Sequence, residues 1–188
     1  MTLLVAFAFL LQTVPPVSGL NPSDFPQHRQ LAPGVYVWTD IHPSGLYTTN
    51  NLIVVTTDGV LVADGQRDSV TTRKMIDWIG TVTRQPIKIV VIGSEHGDHS
   101  GGHSSFPPDV TFIKSPLAAG KQTTFKMGAT DIQVLDRGRA HTGTDLEVYL
   151  PKEKILFTSE AFSHRIFPNM RASVPAVGRL EVPRCSSG

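Results

Sequence analysis

The stretch "IGSEHGDHSGGH", residues 92–103, holds three histidines, one aspartate and one glutamate in twelve positions, directly after the apolar run "IKIVV". Imidazole nitrogens and carboxylate oxygens converging where a buried strand ends are donors that suit zinc, and iron or manganese fit the same set. His96, Asp98 and His99 form its centre. Strand alternation points His96 and Asp98 to one side, and His99 swings round as the chain turns. Gly97 and the run Ser100-Gly101-Gly102 let the backbone fold closely around an ion. Ser94 shares the face of His96, and Glu95 points away to solvent. A serine hydroxyl is a poorer zinc ligand than imidazole, so Ser94→His is expected to tighten the site. His103 is expected to face solvent, and would approach a metal only if a helix started near it.

Other donors lie downstream. His141 sits in the glycine-flanked loop "GRAHTGTD", Glu160 ends the apolar run in "ILFTSEAF", and Asp64 ends "VLVADG". Several apolar runs that each end on a polar residue imply loops gathered at one edge of the sheets.

The positioning elements follow from periodicity. "GVYVWTD" (34–40) alternates as a strand, and "NLIVVTTDGVLVADG" (51–65) reads as two strands joined by a turn at Thr57-Asp58-Gly59. "SVTTRKMIDWIGTVT" reads as a helix with Ser69 as N-cap and Val70, Met75, Ile76, Ile79 and Val82 on one face. Pro86 stops it, and a buried strand begins at "IKIVVIG". Strands are expected in "VTFIKSP" (110–116), in "TDIQVLDRG" (130–138), and on both sides of a turn at Pro151–Lys154. The order of elements argues for a mixed α/β fold, with sheets flanked by helices.

With these residues in view, the chain resembles the metallo-β-lactamase superfamily. That family carries His-x-His-x-Asp-His after a strand, a later histidine in a Gly-His-Thr type loop, a bridging aspartate at a strand end and a C-terminal histidine. "SEHGDHSGG" matches at His96, Asp98 and His99, "AHTGTD" at His141, and "ILFTSEAF" at Glu160, where the family has aspartate. "VLVADGQ" matches the early strand ending in a structural aspartate, Asp64. The resemblance runs from about Gly34 to about Phe167 and implies an αββα sandwich with a metal site at its edge. It implies a hydrolase in which Asp98 orients the attacking water and His96, Asp98, His99, His141 and Glu160 hold the metal. Esters, lactones, thioesters and β-lactams all suit that chemistry. Ser94 stands where the family's first histidine would be, and the family's closing elements have no counterpart, so the second half is expected to be incomplete. One zinc ion is therefore expected rather than two. The alternative is an impaired or inert metal-binding fragment.

The bulk numbers bound the rest. A chain of 188 residues, 40% hydrophobic and 18% charged, can bury one domain core. A net charge of +1 gives no support to a nucleic-acid partner, and the partner expected is a small-molecule substrate. The single cysteine, Cys185, excludes an internal disulfide and a multi-cysteine zinc site. "MTLLVAFAFLLQTVPPVSGL" reads as a signal peptide over residues 1–19, too short to span a bilayer, which places the protein outside the cytoplasm, secreted or periplasmic, with no membrane attachment after cleavage. A linker is expected over 20–33, the domain over 34–167, and an irregular tail over 168–188. Tyr36, Trp38 and Tyr47 are candidates for a substrate groove. His28 and His42 are expected at the surface, and Arg165 and Arg171 as anion contacts or plain surface charges.

Overall fold

A computed structural model of the chain describes residues 20–118 and 120–162. The segment 1–19 read as a signal peptide, the expected tail over 168–188, and His164, Arg165, Arg171 and Cys185 lie outside the described residues. The strands are β1 (Gln27–Ala32), β2 (Val35–Ile41), β3 (Thr48–Thr56) and β4 (Gly59–Ala63). Helix α1 (Ser69–Val82) leads to β5 (Ile87–Val91), a single helical turn α2 (Gly97–Ser100) and β6 (Thr111–Ile113). The chain continues through β7 (Gln122–Met127), β8 (Thr130–Asp136), β9 (Leu146–Leu150) and β10 (Ile155–Phe157).

Six strands form one sheet in the order β1-β2-β3-β4-β5-β6, and four form a second in the order β10-β9-β8-β7. The first sheet is antiparallel up to β4; β4, β5 and β6 run parallel, as crossover connections require. The two sheets enclose a core that includes Val54, Leu61, Val91, Ile132, Val134 and Val148. The other face of the first sheet packs on α1 through Ile53, Val62, Met75, Ile79 and Val90. Thus β4, covered on both faces, reads as an unbroken buried run, as buried parallel strands do. The layers are helix, sheet, sheet. These are three layers of the αββα plan, and among the described residues no helix covers the outer face of the second sheet. None of the described helices is long and apolar enough to cross a membrane.

Four expectations need correction. The segment 20–33 is not a linker throughout: β1 occupies Gln27–Ala32 and pairs with β2. It is an edge strand exposed along almost its whole length, so no apolar alternation marks it. Second, a strand β7 stands where no apolar pattern marks one, since "QTTFKM" alternates mostly between polar residues. Third, the N-cap of α1 is Asp68, whose carboxylate accepts from the Thr71 amide at 2.8 Å. Fourth, Thr71, Thr72, Met75 and Ile79 make the buried face of α1, and Val70 is 66% exposed.

Candidate metal centre

The donors meet where the strands end. Asp64 follows β4; Ser94, His96, Asp98 and His99 follow β5; His141 lies in the β8–β9 loop; Glu160 follows β10. Parallel strands release their connecting loops at the carboxyl ends, where α/β proteins build their sites.

Two groups of donors assemble, each with ligand atoms within 4.8 Å of one another: His96, His141 and Glu160, and Asp98, His99 and Glu160. Glu160 belongs to both. Its Oε2 lies 2.8 Å from His96 Nδ1 and accepts from Ser94 Oγ at 2.6 Å. Its Oε1 faces His141 Nε2 at 3.6 Å and His99 Nε2 at 3.7 Å. Asp98 Oδ2 lies 3.7 Å from His99 Nε2, and the His96 and His141 rings meet edge to face at 4.9 Å. The structure therefore brings together all five residues expected to hold a metal. Two imidazoles with a carboxylate, or one imidazole with two carboxylates, make a nitrogen–oxygen donor set that fits a divalent ion such as zinc.

His99 has the most elaborate support. Its Nδ1 donates to Asp64 Oδ2 at 2.8 Å, leaving Nε2 to face Asp98 and Glu160. Asp64 is wholly buried, and it also accepts from the Gly93 amide at 2.6 Å and from Ser159 Oγ at 2.6 Å. Asp64 and Ser159 both adopt positive φ, 65° and 50°, a conformation costly for side-chain-bearing residues that often marks functional sites. Burial opposes a charge on His99, but the Asp64 hydrogen bond and the charges of Asp64, Glu160 and Asp98 outweigh it and hold its pKa up at about 9. A carboxylate fixing the remote nitrogen of a histidine is the arrangement that orients metal-ligating imidazoles.

Backbone packing explains the glycines differently from the expectation. A Cβ on Gly102 would lie 1.9 Å from Thr72 Oγ1, and one on Gly101 2.1 Å from the Arg67 carbonyl. They let the histidine loop press against the start of α1 rather than wrap an ion. Gly97 has open space around it. The two loops are tied by the Gly65 amide donating to the His99 carbonyl at 2.8 Å and the Gly102 amide to the Gln66 carbonyl at 2.9 Å. Asp98 also reaches the site from the helical turn α2 rather than by strand alternation.

Residues the sequence reading passed over hold these loops. Asn51 is buried; it donates to the carbonyls of Asp64 and Gly65 and accepts from Gln66 Nε2. Asp145 shapes the His141 loop, accepting from the amides of Ala140 at 3.0 Å and Thr142 at 2.7 Å and from Thr142 Oγ1 at 2.7 Å. The visible signals were an asparagine inside an apolar strand and a Thr-x-x-Asp turn directly after the histidine.

The remaining candidates divide. Glu95 is exposed and Ser94 wholly buried, as alternation required. His103 stays outside both donor groups; its ring packs near Phe112 at 5.6 Å, and burial pulls its pKa below the usual imidazole range. Trp38 is core, and Tyr36 meets Trp78 edge to face on the helix side. Tyr47 lies near enough to the donors to feel their charge. Burial, then the charges of Asp98 and Glu160, raise its phenol above the ordinary value, and His42 stacks on its ring at 4.5 Å. His28 is exposed as expected, but it lies in β1 and stacks on Trp78 at 4.7 Å.

Comparison with known proteins agrees with the geometry. Over 145 residues, 68% of this chain, it is 24% identical to a metallo-beta-lactamase type 2 from Bacillus sp. (strain 170). The chain spans 56% of that relative's length. Among solved structures, a metallo-beta-lactamase from Pontibacter korlensis matches with a TM-score of 0.67, covering 80% of each chain at 24% identity. No family model matches the chain. The chain has the metallo-β-lactamase fold, and the curated relative it resembles is a metallo-beta-lactamase.

Proposed function

We propose that this chain is a metal-dependent hydrolase acting on the carbonyl of an ester, lactone, thioester or β-lactam. The observation that carries the reading is Glu160 shared by two three-donor groups, one of which includes Asp98. His96, His141, Asp98, His99 and Glu160 would hold the ion. A divalent ion in such a site polarises a carbonyl and lowers the pKa of water toward ~7. Asp98 holds the attacking water and accepts its proton, as a carboxylate on a short turn at the donor cluster can. Asp64 keeps His99 in the tautomer that presents Nε2 to the cluster. Tyr47, a phenol within reach of the charges of Asp98 and Glu160, would donate a hydrogen bond to a small-molecule substrate. Export by the N-terminal segment belongs to the same reading.

About one tightly held zinc is expected per chain, because Ser94 supplies no imidazole and both groups compete for one glutamate. The test is elemental analysis, followed by turnover of a chromogenic β-lactam, a lactone, a thioester and a carboxylic ester before and after chelation. Asp98→Ala is expected to abolish hydrolysis and weaken zinc. A protein that stays metal-free in added zinc sinks the reading. Zinc binding without turnover of any of the four points to the second reading, a metal-binding chain that has lost catalysis, which the hydroxyl at position 94 favours.

A further inference from the structure

Ser94 is wholly buried, and both functions of its hydroxyl are engaged. The oxygen accepts from the His96 amide at 3.3 Å and donates its one proton to Glu160 Oε2 at 2.6 Å. The backbone beneath it is pinned on both sides of Gly93, whose amide donates to Asp64 at 2.6 Å and whose carbonyl accepts from the Leu146 amide at 3.0 Å. The hydroxyl therefore has a fixed position and a fixed direction. It holds Oε2, together with His96 Nδ1, and leaves Oε1 facing His141 and His99.

We propose that Ser94 is a positioning residue matched to Glu160: the short side chain and the long carboxylate share one space, and the hydroxyl fixes the glutamate between the two donor groups. With Oγ already 2.6 Å from the carboxylate, an imidazole at 94 has no room beside it. Conversely, an aspartate at 160 falls about 1.5 Å short, one carbon–carbon bond, and leaves the hydroxyl without its acceptor. The expectation that Ser94→His alone restores a ligand thus reverses. Positions 94 and 96 do share a face, but Glu160 fills the place. Serine at 94 and glutamate at 160, each a departure from the family's pattern, are one compensated change.

The proposal rests on the metal reading for its affinity effects, and its test separates the two. Zinc affinity is measured by chelator competition for the wild type, Ser94→Ala, Ser94→His, Glu160→Asp and the double variant Ser94→His/Glu160→Asp. Each single change is expected to weaken zinc roughly 10- to 100-fold. The double variant should bind at least roughly tenfold more tightly than the product of the two single losses predicts. Ser94→Ala should also shift the ligand-field bands of the cobalt(II)-loaded protein, since the glutamate is released from its fixed orientation. Multiplying losses, tighter zinc in Ser94→His alone, or weakened binding with unchanged cobalt bands would each overturn the pairing. If the wild type takes no zinc, the hydrolase reading falls, and urea unfolding of the metal-free proteins decides the pairing. A double variant more stable than the summed single losses supports it; additive losses overturn it.

Discussion

The two imidazoles nearest each other in sequence, His96 and His99, are held in opposite ways. His99 is buried, and its Nδ1 bonds to a carboxylate that is itself bound by Gly93 and Ser159. His96 has a side chain 30% exposed, and its partner is Glu160, a residue from the other sheet. One arm is anchored chiefly within the first sheet's loops, with Ser159 as its one bond from the second half. The other depends on the second half alone. The anchor should therefore dominate the stability of the metal-free protein, and the open arm should matter when an ion draws the donors together.

Removing the anchor should have the largest effect. Asp64→Ala leaves His99 buried and unpaired, and is expected to cost about 3–5 kcal/mol in urea unfolding of the metal-free protein. His96→Ala under the same conditions should cost less than about 1.5 kcal/mol, since it loses one partly exposed contact with Glu160. Equal losses would erase the distinction between the arms.

The anchor should also give the metal-free protein a pH signature. The His99 pKa rises from 6.5 to about 9 on folding, so its stabilisation is fully present below pH 6.5 and is lost as pH climbs through 9. That is a loss on the order of 3 kcal/mol across the window. Asp64→Asn should flatten the decline by removing the charge that holds the proton. His96→Ala should leave it in place. A wild-type stability that is level from pH 6.5 to 9 would contradict the charged anchor.

The same contrast explains what the sequence made legible. The hairpin β3–β4, the buried β5 and the β9–β10 turn announce themselves because apolar runs end at Asp-Gly, Gly or Pro-Lys. His96, Asp98, His99, His141 and Glu160 were legible because each follows such a run. Edge strand β1 and strand β7 were not, since an exposed strand carries no apolar pattern. Nor could spacing reveal that Gly101 and Gly102 serve contact with α1, or that Asp145 and Asn51 brace the loops; those are contacts between segments far apart in sequence. Ser94 shows the limit most clearly. Beside its neighbours in the chain it reads as a missing ligand, and only the arrival of Glu160 from 66 residues away shows what it bonds.

The smallest effect should come from the third histidine of the run. His103 lies four residues after His99, yet its Nε2 is buried without a partner and its ring lies near Phe106 and Phe112. Burial lowers its pKa, so it is held neutral, and it contributes no atom to either donor group. It packs as a partly buried aromatic carrying an idle nitrogen. His103→Phe keeps a flat ring among phenylalanines and removes a buried polar atom, so stability should change by less than about 1.5 kcal/mol in either direction. Zinc affinity should stay within roughly twofold of wild type, since His103 offers no ligand atom and meets the donors only at the His99 backbone. The check is a chelator competition run beside Asp98→Ala. A His103→Phe loss as large as that of Asp98→Ala would mean that the third histidine reaches the ion, and that the division of "HGDHSGGH" into two site histidines and one packing histidine is drawn in the wrong place.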